Sequence, residues 1–216
     1  MPVVDNDERV WFSPNHEETL FNAIKDLAQH VLLFSLLLPA AALAREKERG
    51  TVEQLLVSPL SPLQIMLGKI LPMTAIILLS SVLALFVIIE GALSLQVRGS
   101  ILLFLAVTAL FSSSAAGLGI LIASVTRNIG QVGLVSITLM PIMLMLSGSD
   151  TPAEMMPIAL LPIMYLSPLH HYLNVAFGIL IKGAPLGLVW DSILYIALLG
   201  GCIFGFGLIR FRQSFR

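Results

Sequence analysis

The chain has 216 residues, 57% of them hydrophobic and 12% charged, with 12 Lys and Arg against 13 Asp and Glu. Its mean hydropathy is +0.94. Soluble domains carry about 25% charged residues, so this composition excludes a soluble globular protein. A net charge of −1 argues against a nucleic-acid partner, and the lone Cys202 leaves no internal disulfide and no cysteine metal cluster. Residues 1–22 are polar and acidic, with Asp5, Asp7, Glu8, Glu17 and Glu18, and Val10-Trp11-Phe12 before Ser13-Pro14 reads as the end of a strand. Met1–Glu8 lacks the basic start and apolar run of a cleavable signal. The first span is expected over Ile24–Ala44 and is the weakest. Lys25, Asp26, Gln29 and His30 occupy its outer end, leaving only Val31–Ala44 cleanly apolar. That is shorter than a hydrocarbon core of about 30 Å, but Lys25 and His30 can extend to the interface. Pro39 should kink it.

A charged run follows: Arg45-Glu46-Lys47-Glu48-Arg49-Gly50. Five consecutive charges are costly inside a bilayer, so the run is expected to be a loop between two spans. Thr51 then provides an N-cap and Gln54, three residues on, completes a capping box. Val52, Leu55 and Leu56 share a face beside Glu53, and Pro59 stops the helix. The pattern predicts a short amphipathic helix at the membrane surface. It lies in the headgroups or docks a soluble partner.

The stretch Arg45–Pro72, REKERGTVEQLLVSPLSPLQIMLGKILP, resembles the signature of the ABC-2 type permeases, the membrane subunits of ABC transporters. A weaker likeness continues over Met140–Lys182 and into the basic C-terminus. The resemblance implies a cytoplasmic site that contacts an ABC ATPase subunit, carried by Arg45, Glu46, Lys47, Glu48, Arg49, Gly50, Thr51, Glu53, Gln54, Leu55 and Leu56. It also implies that residues 1–22 close an extracytoplasmic domain. The chain would then lack the family's first span and most of that domain, with residues 23–216 forming the transmembrane domain.

Ser61-Pro62-Leu63-Gln64 is a second start signal, with N-cap, proline at N1 and Gln completing the box. It opens a span over Leu63–Ile89, where Lys69 is expected to snorkel and Pro72 to bend the helix. Glu90–Gly99 is a short outer loop. The third span, Ser100–Val125, carries Ser112, Ser113, Ser114, Ala115, Ala116, Gly117 and Gly119 in its inner half, small residues that let helices approach in lipid. No acid, histidine or hydrolase motif accompanies these serines, so a nucleophile is not expected. Thr126-Arg127-Asn128 is an inner loop, and the fourth span is Ile129–Leu146 with Pro141 inside. Thr151-Pro152-Ala153-Glu154 should start a helix that ends before Pro162, and Ser167-Pro168 another over Pro168–Ile181, closed by Gly183. Both are too short to span and read as re-entrant or interfacial. The resembled family has a pair of short outer helices here. His170-His171 point about 100° apart on a helix and do not suit one metal ion. The last span, Leu186–Ile209, holds Gly201 and Gly205 as a G-x-x-x-G packing face.

Five spans put Arg45, Lys47, Arg49, Lys69, Arg127, Arg210, Arg212 and Arg216 on one side and Arg9, Lys25, Arg98 and Lys182 on the other. Eight against four places the charged run and C-terminus in the cytoplasm and the N-terminus outside. The expectation is thus an all-α integral membrane protein of the inner membrane with five spans. No G-x-x-x-x-G-K-[ST] occurs, so the chain should bind no cofactor and hydrolyse no ATP itself. Resemblance makes it the permease subunit of an exporter of hydrophobic or drug-like compounds. It would be powered by ATP in a partner ATPase and paired with a second half, identical or not. Gly117, Gly119, Gly201 and Gly205 are candidates for that pairing. The alternatives are an accessory or non-functional fragment of such a permease, and an intramembrane enzyme, which spans nearly free of Asp, Glu and His argue against.

Overall fold

A computed structural model describes residues 14–50, 61–148 and 156–214. The expected strand end at Val10–Phe12, the surface helix Thr51–Val57 and the capping box at Thr151–Glu154 lie outside the described residues. Helix α1 runs Pro14–Glu48, α2 Pro62–Leu83 with a π-helical continuation Ala84–Ala92, α3 Ile101–Val125 and α4 Ile129–Ser147. Short α5, Leu161–Tyr165, and α6, Pro168–Leu180, precede α7, Leu186–Ser214. Five of these helices are long and apolar enough to cross a membrane, and no strand occurs among the described residues. The protein is an all-α integral membrane protein.

Of the two expected start signals that are described, Ser61 forms its cap, whereas α6 begins at Pro168 with no side-chain cap from Ser167. Ser61 caps α2 in a reciprocal box with Gln64, Ser100 accepts from the Leu103 N–H, and Asn128 accepts from the Gln131 N–H at 2.8 Å. Gly148 ends α4 at φ +80°, a left-handed cap that a side chain resists.

Three expectations change. First, α1 starts ten residues before Ile24 and passes through the boundary set at residues 22 and 23 without a break. Second, Arg45–Glu48 is helix rather than loop. Ala40–Glu48 consists of strong helix formers, and nothing stops it before Gly50 adopts φ +67°. Third, Pro162 lies at the start of α5 rather than beyond the end of a helix; the described residues before it, Met156–Leu160, form turns.

α1 and α3 form the centre. α3 packs most extensively against α7 and α1. One apolar cluster joins Ile24, Val31, Leu32 and Leu36 of α1 to Phe104, Val107 and Phe111 of α3 and to most of α6. A second joins Ala40, Leu43 and Ala44 to Ile65, Met66 and Ile70 of α2, Ile120 and Ala123 of α3, and Val132 of α4. Between apolar helices in lipid, close packing supplies the attraction. α4 and α7 instead turn much apolar surface outward, including Leu134, Ile137, Ile142, Leu194, Leu198 and Phe206.

Candidate functional site: the charged end of the bundle

The charged run is a knot between helix ends. Glu46 pairs with Lys69 of α2, so Lys69 is held by a carboxylate rather than snorkelling to the interface. Lys47 Nζ reaches the C-terminus of α3, donating to the carbonyls of Ala123 at 2.6 Å, Ser124 at 3.0 Å and Thr126 at 3.3 Å. The last carbonyls of a helix have no partners within it and carry its negative dipole end, so an ammonium there is favourable. Glu48 Oε1 accepts from the Ile129 N–H at 2.8 Å, at the first turn of α4. A carboxylate at a helix N-terminus is the opposite match. Three successive side chains of α1 therefore hold the next three spans, two of them at a helix end. Each contact is a charge-assisted hydrogen bond, worth about 1.5–3 kcal/mol when shielded from water.

Arg45, Arg49 and Gly50 remain exposed. Gly50 donates its N–H to the Lys47 carbonyl at 3.2 Å, and a Cβ there would meet no atom within 4 Å. Its conformation, not crowding, requires glycine. Thr51, Glu53, Gln54, Leu55 and Leu56 lie outside the described residues.

The four candidate packing glycines divide. A Cβ on Gly117 would lie 2.9 Å from Phe204 Cα of α7, and one on Gly119 2.3 Å from the Leu36 carbonyl oxygen of α1. Both serve close approach inside the chain. Gly201 and Gly205 meet nothing within 4 Å. The α7 residues that press on α3 are Gly200, against Ser114, and Gly207, 2.8 Å from the Gly117 carbonyl by the same measure. Sequence reasoning missed both, because they sit beside a more familiar spacing.

At the opposite end, α6 is fixed from the side. Tyr172 is fully buried, stacked on Phe111 of α3 at 4.2 Å, with its hydroxyl 3.0 Å from that of Thr108. The Arg98 N–H donates to the Leu180 carbonyl at 3.2 Å, and a Cβ on Gly99 would sit 2.0 Å from the Ile179 carbonyl oxygen. His170 and His171 bind backbone carbonyls of Ser147 and Tyr165. Among the described residues no group of three or more His, Cys, Asp and Glu is placed to hold a metal ion.

The sequence model of the ABC-2 type transporter membrane region matches residues 15–181. Over 213 residues the chain is 35% identical to the inner membrane transport permease YhhJ of Escherichia coli K12, covering 99% of this chain and 57% of that protein. It is 32% identical over 197 residues to the probable multidrug ABC transporter permease YbhR of the same organism, covering 89% and 53%. With the probable multidrug permease YbhS the identity is 29% over 200 residues, covering 91% and 52%. The chain spans about half the length of the curated relatives it matches.

Proposed function

The chain belongs to the ABC-2 type transporter family, and from that premise we propose that it is the permease part of an ATP-binding-cassette export system in the inner membrane. In this reading the charged end and the C-terminus face the cytoplasm and the N-terminal side faces outward, in keeping with the eight-to-four Lys and Arg division. The chain pairs with a second permease half and receives work from a separate ATPase subunit. It binds no ATP and catalyses no reaction of its own. The cargo is a hydrophobic or drug-like compound, a reading supported by relatives named as probable multidrug permeases.

One observation carries this reading. The last turn of α1 is tied through Glu46, Lys47 and Glu48 to Lys69 of α2 and to the ends of α3 and α4. A displacement delivered just after Gly50 would therefore reach four spans together. A transport subunit driven from outside the membrane needs such a handle. The test uses vesicles containing the chain and its ATPase, with a fluorescent hydrophobic dye as cargo. External thiol labelling at positions 98 and 48, in a Cys202→Ser background, reads insertion and orientation. Gly50→Pro demands φ near −65° where the backbone sits at +67°, and Glu53→Lys reverses a charge on the predicted docking face. Both variants should insert with position 98 labelled from outside and position 48 protected, and both should lose ATP-driven dye movement. Parent-like transport by both would refute the handle.

A further inference from the structure

We propose that the recess between α5, α6 and α7 is a binding site for a small organic cation, held by the Asp191 carboxylate and an aromatic wall. The recess has a volume of about 350 Å³ and is lined by Tyr165, His170, His171, Asn174, Asp191 and Tyr195, with Ser192. Two of the chain's three tyrosines, Tyr165 and Tyr195, line it together with the imidazole rings of His170 and His171. They are already ordered against one another. His171 stacks on Tyr195 at 4.7 Å, and His170 meets Tyr165 edge-on at 5.5 Å. Ring faces attract a cation, and more strongly where water is scarce.

The charge of the recess follows from its hydrogen bonds. His170 Nδ1 lies 2.7 Å from the Ser147 carbonyl, so it carries the proton and donates. His170 Nε2 lies 3.0 Å from the Asn174 amide nitrogen, so it is bare and accepts. His171 Nε2–H donates to the Tyr165 carbonyl at 2.9 Å, and burial pushes this imidazole below its usual range. Asp191 is the one carboxylate among the residues that line the recess. Among the described residues no cation pairs with Asp191. Lys182 lines the adjoining recess, which shares only Asn174 and Ser192 with this one. Asp191 is exposed to the recess in the second turn of a membrane-crossing helix, so its carboxylate is open to an incoming counter-charge. The only imidazole nitrogen without a stated partner is His171 Nδ1, too few donors for a metal ion. A compact ammonium with apolar substituents satisfies the carboxylate and the rings together.

The site lies away from the charged knot, so binding is measured on the purified chain in lipid nanodiscs, without ATPase or transport. Its failure would leave the permease reading untouched. The probe is radiolabelled benzyltrimethylammonium in equilibrium dialysis, compared with its neutral carbon isostere. Saturable binding is expected. It should weaken about tenfold in Asp191→Asn and about fivefold in Tyr195→Leu, and change less than about twofold in Tyr195→Phe, which keeps the ring. Circular dichroism confirms that each variant is folded, and Asp191→Glu should bind within about threefold of the parent. Equal binding of the neutral isostere, or full binding by folded Asp191→Asn, would overturn the site. So would Zn²⁺ binding at this recess with no ammonium binding.

Discussion

The two ends of the bundle use polar groups in opposite ways. At the charged end, Glu46, Lys47 and Glu48 each meet a group on another helix, and two of the three meet a helix terminus. Charge there supplements the Asn128 cap of α4 and satisfies carbonyls at the end of α3. At the other end, α6 is seated by Tyr172, by backbone contact at Gly99 and by histidines bound to backbone carbonyls, while Asp191 lines a recess with no cation paired to it among the described residues. The first arrangement couples helices to one another. The second leaves a charge for something that comes and goes. The ends should therefore differ in what breaks them and in how salt matters.

The largest effect is expected from Gly99→Val. The new Cβ would lie 2.0 Å from a backbone oxygen of α6, and backbone cannot rotate away as a side chain can. Overpacking of this kind costs about 3 kcal/mol, so the variant should lose most of its monodisperse yield after extraction, equally at low and high salt. Recovery of yield in high salt would show that the α6 end is electrostatic after all.

Lys47→Met comes next. It keeps the stem and removes the donor to the Ala123, Ser124 and Thr126 carbonyls. Those contacts are part-buried, so the loss should be about 1–2 kcal/mol. Thermal unfolding in detergent should show a lower Tm, and Lys47→Arg should restore part of it. An unchanged Tm in Lys47→Met would mean that water replaces the ammonium without loss.

These differences mark what a sequence can disclose. The span positions were legible because apolar runs are bounded by Ser61-Pro62, Ser100 and Asn128, local signals with local meaning. The pairing of helix faces was not legible. Helices apolar on all sides have no periodicity to say which face meets a neighbour. Thus the familiar Gly201 and Gly205 spacing faces open space, while Gly200 and Gly207 make the contact. The charged run was identified, but its length suggested a loop. Its helix-forming residues were legible locally, but the partners of Glu46 and Glu48 lie 23 to 81 residues away, which no local pattern reveals. The π-helical stretch Ala84–Ala92 and the Asp191 recess gave no local signal either.

The smallest effect, and the most discriminating, concerns Glu48. Its Oε1 makes two separable contributions at the start of α4. It accepts the Ile129 N–H at 2.8 Å, and it sets a negative charge at the positive end of the helix dipole. Glu48→Gln keeps an oxygen at the same reach and removes only the charge. Glu48→Ala removes both. Glu48 is exposed, so the charge term is about 0.3–1 kcal/mol at low salt and is screened as salt rises. The hydrogen-bond term is short-ranged and is not screened in this way. Glu48→Gln should therefore lower Tm slightly at low salt and match the parent in about 0.5 M salt, where the Debye length is shorter than 10 Å. Glu48→Ala should fall further and stay lower at both salts. If Glu48→Gln matches the parent even at low salt while Glu48→Ala falls at both salts, the side chain acts only as a hydrogen-bond acceptor. The charge matching at this end would then reduce to Lys47 and the Glu46–Lys69 pair.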